Sequence, residues 1–159
     1  MTRRLLTLLV SVALMAGALS CSRPESTLPM AGEAAVGDAA VTLTDFHARP
    51  SPPGVSVGAI FGTIQSGGGD TLIAVSVPAT VAGRAEIHRM VQNAAGQMEM
   101  HAVPWLALPE DAPVELAPGG MHVMLFDLVG PLVAGEKLTL TLRFRTGGER
   151  LLEVPVRED

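Results

Sequence analysis

Apolar and polar residues alternate along much of this chain in runs too short for helices. Leu138, Leu140, Leu142 and Phe144 interleave with Thr139, Thr141 and Arg143, the two-residue period of a strand with one wet face. Similar runs predict strands over residues 41–44, 56–64, 71–77, 85–91, 97–103, 114–116, 121–128 and 151–156, nine in all with 137–144. Between them stand turn signals: Pro52-Pro53-Gly54, the glycines of residues 66–70, Asn93-Ala94-Ala95-Gly96, Pro118-Gly119-Gly120 and Thr146-Gly147-Gly148. Short strands at this spacing predict an all-β, antiparallel Greek-key sandwich or barrel.

The N-terminus breaks the pattern. Arg3 and Arg4 precede an apolar run over residues 5–19, the shape of a secretory signal peptide. The run is shorter than the roughly 20 residues a spanning helix needs. It ends in Ala18-Leu19-Ser20-Cys21, which resembles a bacterial lipobox, with Ala18 where leucine is usual. We expect a signal peptide over residues 1–20 and lipidation of Cys21 as the mature N-terminus; the alternative is an ordinary cleaved signal that leaves a free thiol. Residues 22–38 are rich in Ser, Pro, Gly, Ala and Glu without an apolar period. The expected organisation is therefore a flexible linker over 21–39 and one domain over 40–159, exported and held at the membrane by its lipid.

Composition narrows the function. The 159 residues carry a net charge of −5, and Lys137 is the sole lysine. Removing residues 1–20 leaves nine basic residues against 16 acidic ones, a net of −7. No basic stripe exists to neutralise phosphates, which disfavours nucleic-acid binding. Gly-x-Ser-x-Gly, His-Glu-x-x-His and Gly-x-x-x-x-Gly-Lys are all absent, and the single cysteine stands in the lipobox. We therefore expect no enzyme, and no blue-copper electron-transfer centre, which needs a cysteine thiolate.

Methionine is the unusual residue. Beyond Met1 and Met15 there remain Met30, Met90, Met98, Met100, Met121 and Met124, five of them between residues 90 and 124. His88, His101 and His122 fall in or beside the same window. On a strand, residues two apart share a face, so His122 with Met124, His88 with Met90, and Met98 with Met100 can each point two donors the same way. A three-residue loop at 94–96 with Gly96 left-handed would set Met90 opposite Met100 and make His88 its diagonal neighbour. Imidazole and thioether together form a soft, neutral donor set suited to Cu(I). Single methionines are more often core fillers. His101 and Met121 have the opposite parity to the donors, His47 has no partner at motif spacing, Trp105 reads as a rim or core aromatic, and Glu86 either hydrogen-bonds His88 or stays a solvated charge.

Glu86-Ile87-His88, Met100 and Pro118-Gly119-Gly120-Met121-His122-Val123-Met124 together resemble the PCuAC family of periplasmic copper chaperones, over roughly residues 40–156. The resemblance implies a cupredoxin-like β-sandwich that binds Cu(I) through His88, Met100, His122 and Met124. It also implies delivery of copper to a cytochrome c oxidase subunit or another copper-delivery protein, by a chain expected to be monomeric. The spacing from Met100 to His122 fits the family. Eleven residues separate His88 from Met100 where the family usually has ten, which leaves Met98 as a rival ligand. Phe46 stands where the family commonly has Trp. Copper buffering, or a metal-free structural lipoprotein, are the alternatives.

Overall fold

The computed structural model describes residues 40–110 and 112–158; the expected signal peptide, Cys21 and the linker lie outside the described residues. Among the described residues ten strands form: β1 (Val41–Ala48), β2 (Val57–Ser66), β3 (Asp70–Ser76), β4 (Ala82–Gln92), β5 (Met98–Val103), β6 (Leu106–Leu108), β7 (Val114–Leu116), β8 (Met121–Leu128), β9 (Lys137–Phe144) and β10 (Glu149–Pro155). They make a six-stranded sheet in the order β1-β2-β7-β8-β4-β5 and a four-stranded sheet in the order β10-β9-β3-β6. Pairing within the sheets is antiparallel except for β7 with β8.

Alternation decides what each strand buries. In β9, Leu140 and Leu142 are fully buried while Lys137 and Arg143 are exposed. In β8, Val123 and Leu125 enter the same core, and His122 and Met124 are turned to the sheet's other side. Ile60 and Ile64 of β2, Leu72 of β3 and Val154 of β10 complete the centre. Each such side chain contributes about 1.5–3 kcal/mol by leaving water.

Two departures from the expected strands have physical causes. Strand β6 is one strand more than the nine expected; it is three residues long, too short for a period to show between Pro104 and Pro109. Strand β1 runs four residues past the expected 41–44. A bulge between Thr44 and His47, with Asp45 at φ 55°, interrupts the alternation that would have revealed the continuation. The bulge turns Phe46 into the core. Strand β2 passes directly beneath it at Gly62, where a Cβ would stand 2.6 Å from the Phe46 ring. The Asp70 carboxylate accepts hydrogen bonds from the amides of Thr71, Thr146 and Gly147, tying the start of β3 to the β9–β10 turn.

Gly62→Ala is expected to lower stability by about 1–3 kcal/mol through overpacking. Gly130→Ala, in open space, serves as the neutral control. Urea denaturation midpoints of the two variants check this.

Candidate metal centre

Strands β4 and β8 pair with His88 directly opposite His122 and Glu86 opposite Met124. The two imidazole centroids are 6.4 Å apart. His122 and Met124, two apart on β8, share the face that looks away from the core.

The third element is the β4–β5 hairpin. Its loop closes with Asn93 N donating to Gln97 O at 2.9 Å and Gly96 N donating to Asn93 O at 2.9 Å, with Gly96 at φ 79°. The Asn93 side-chain oxygen accepts from the amides of Ala95 and Gln97. This is the expected three-residue loop. Met90 consequently faces Met100, and His88 faces Ala102, one step along from Met100. Met98 falls opposite Gln92.

Met90, Met100, His122 and Met124 line one cleft of ≈ 230 Å³ with Phe61 and Arg49. Met100 and Met124 also wall an adjoining, largely apolar cleft of ≈ 340 Å³. Met98 lines neither and is 52% exposed. Of the two rival methionines, which share a face, it is Met100 that shares a cleft with His122.

Polar partners determine which nitrogens remain available. His88 Nε2–H donates to Glu86 Oε2 at 3.0 Å, and His88 Nδ1 is buried with no hydrogen-bond partner. Such a nitrogen is costly unless something binds it. His122 Nδ1–H donates to the Gly120 carbonyl at 3.3 Å, which leaves Nε2 with its lone pair. Burial pulls the His122 pKa below its ordinary 6.5, the adjacent His88 lowers it further, and the Gly120 bond only partly opposes them. The Glu86 carboxyl is held below its usual value, first by the bond from His88 and then by Arg84.

Among the described residues no three His, Cys, Asp or Glu side chains gather as a metal site. What gathers instead is two imidazoles with thioethers, a soft set. His101 is exposed and paired with Glu99, and Met121 packs on the core. His47 has a neighbour that sequence spacing did not show: its ring is 5.7 Å from Phe61, itself 6.2 Å from His122. Trp105 is exposed and does not enter the core. Cys21 lies outside the described residues. Sequence reasoning missed Phe61, Phe126 and Arg84. Phe126 shares the parity of His122 and Met124 and could have been found; Phe61 depends on β2 pairing with β8, which no local spacing encodes.

The family model described as "Putative lipoprotein LpqE-like" matches residues 41–156. The chain belongs to the LpqE-like family. A relative from Leifsonia xyli subsp. xyli (strain CTCB07), named "Putative lipoprotein Lxx21020", is 33% identical over 105 residues, 66% of this chain. The match spans 63% of that relative's length. Among solved structures, the apo PCuAC domain from PmoF1 superposes with TM-score 0.61 at 27% identity, covering 75% of this chain and 94% of that one. The solution structure of CuI-DR1885 from Deinococcus radiodurans does so with TM-score 0.56 at 26% identity, covering 79% and 86%. This LpqE-like chain therefore has the PCuAC fold, the expected cupredoxin-like all-β sandwich.

Because the folded protein resists protonating His122 more than the unfolded chain does, acidification favours unfolding. Stability of the metal-free domain is expected to be fully present above about pH 6.5 and to fall as pH drops below it toward the folded-state pKa. Urea midpoints measured from pH 7.5 to 5.5 should decline, and His122→Asn should flatten that decline.

Proposed function

We propose that this protein is an envelope copper chaperone. It binds one Cu(I) as cargo through His88 Nδ1, His122 Nε2, and the thioethers of Met100 and Met124. The observation that carries this reading is the cross-strand pair His88–His122. Each ring has one nitrogen engaged by the protein and the other left with a lone pair, and His122, though not His88, lines a cleft with Met90, Met100 and Met124. The copper named for CuI-DR1885, whose fold this chain shares, supports the choice of ion.

Neutral donors suit a monovalent ion, and thioethers discriminate against hard ions such as Ca(II) and Mg(II). The buried histidines supply the fixed half of the site. Met100 on edge strand β5 is 45% exposed and supplies the half an acceptor can reach, so ligand exchange begins there. All four donors come from one chain, so a monomer is sufficient. The role is carriage without catalysis, and the recipient we propose is a cytochrome c oxidase subunit during assembly of its copper centre. Cys21, lipidated, holds the domain at the outer side of the cytoplasmic membrane or elsewhere in the envelope. The lipoprotein names of its family and of the Leifsonia relative support this.

Competition against a Cu(I) chelator is expected to give one tightly held Cu(I) per chain, lost when His122 and Met124 are both changed to Ala. Met100→Ala should weaken binding tenfold or more, at least about 1.4 kcal/mol, while Met98→Ala changes little; the reverse ranking would make Met98 the ligand. Mixing the loaded protein with a copper-free oxidase subunit domain should move Cu(I) to the latter. Retention of the ion would favour a buffering role.

The anchor is tested separately. Cys21→Ala should shift the protein from the membrane fraction to the soluble one without altering Cu(I) affinity. A protein that is soluble with Cys21 present would rule the anchor out.

A further inference from the structure

A row of hydrogen-bonded groups stands on one side of His88, outside the four proposed donors. Asp127, at the end of β8, has the left-handed φ of 57°, a conformation that Asp tolerates better than most residues but that remains uncommon. Gly83 faces it across the strand pair, and a Cβ there would stand 3.0 Å from the Asp127 Cβ, so glycine leaves that side chain its space. From this position Asp127 Oδ2 accepts from Arg84 Nη1 at 2.9 Å. Arg84 Nε donates to Glu86 Oε1 at 3.1 Å, and the other oxygen of Glu86 accepts from His88 Nε2 at 3.0 Å. The Arg84 guanidinium also lies over Phe126, 4.3 Å from the ring centroid, and Phe126 is 5.5 Å from the His88 ring. Arg84 and Phe126 are opposite each other in the β4–β8 register.

We propose that Arg84 is a positioning residue for the cargo ion. Gripped by Asp127 and lying over Phe126, it holds Glu86 so that one carboxylate oxygen faces His88, which keeps Nε2 engaged and turns Nδ1 toward copper. This inference rests on the Cu(I) reading above. An imidazole that is not held can rotate about its Cβ–Cγ bond and offer either nitrogen, and the two differ in how far they reach from the strand. The two histidines are opposite each other in the sheet yet bond the protein through different atoms, Nε2 in His88 and Nδ1 in His122. The Glu86 bond sets that asymmetry on the His88 side, and a guanidinium fork is the side chain able to engage Asp127 and Glu86 together.

Arg84 and Glu86 are both more than a third exposed, so the ion pair itself is weakly stabilising. Partners that orient a metal-binding histidine are worth about 10–100-fold in affinity. Glu86→Ala is therefore expected at the low end, about tenfold weaker, and Arg84→Ala at about two- to fivefold, since it acts through Glu86.

Cu(I) is diamagnetic, so long-range 1H–15N spectra of the loaded protein report which imidazole nitrogen holds metal and which holds a proton. Wild type should show His88 bound through Nδ1 with Nε2 protonated. Glu86→Ala should give a mixed or Nε2-bound His88 with His122 signals unchanged. Arg84→Ala and Arg84→Lys should move partway to that state, and Glu86→Gln, which keeps an acceptor oxygen, should retain the Nδ1 pattern. Variants with the wild-type nitrogen pattern and affinity would overturn this inference while leaving the copper reading intact. A wild-type protein that takes up no Cu(I) overturns the copper reading itself.

Discussion

Strand β8 belongs to two surfaces at once, and the site depends on that double membership. Val123 and Leu125 are fully buried between the sheets, while His122 and Met124 alternate with them on the other face. The core residues fix the strand's height and rotation, and the donors inherit both without packing of their own. The same holds for β4, where buried Ile87 is the chain neighbour of His88 and is paired with Val123, directly beside the His88–His122 pair. The hydrophobic effect thus sets where two imidazoles meet, although it acts on residues that touch neither.

Met100 has no such support. Its strand lies at the sheet's edge, paired only with β4 and exposed almost throughout. The candidate centre accordingly grades from two histidines locked by the core to a thioether that lies half in solvent. A resident cofactor would be better served by four buried ligands; an ion that must arrive and leave needs one side of its shell within reach of another molecule. Arg49, over the Phe61 ring at 5.2 Å, forms part of that open wall.

Much of this was legible in the alternation of residue types, because a strand writes its faces into the sequence with period two. The hairpin register of Met90 with Met100 followed from Gly96 and a loop count. The common face of His122 and Met124 followed from parity. Where backbone geometry breaks the period, as in the bulge at Asp45 and Phe46, legibility failed, and β1 looked half its length. It failed too for β6, whose three residues hold no second repeat of that period. The surroundings of the histidines were the least visible part. Phe61 and Asp127 reach the site through pairings between strands distant in sequence, β2 with β8 and β4 with β8, and spacing along the chain carries no trace of those neighbours, whereas Arg84 stands four residues before His88 on β4 and shares its parity.

The Asn93–Gln97 closure recasts the meaning of the interval between His88 and Met100. Strand pairing is counted from the closing pair outward, so residues inside the loop add to the interval without moving any side chain. A chain with a two-residue loop closed by the same pair would have ten residues between the histidine and the methionine, and its thioether would occupy the same rung of the ladder. What the site requires here is a distance across the sheet, and the loop behaves as slack in the string that measures it.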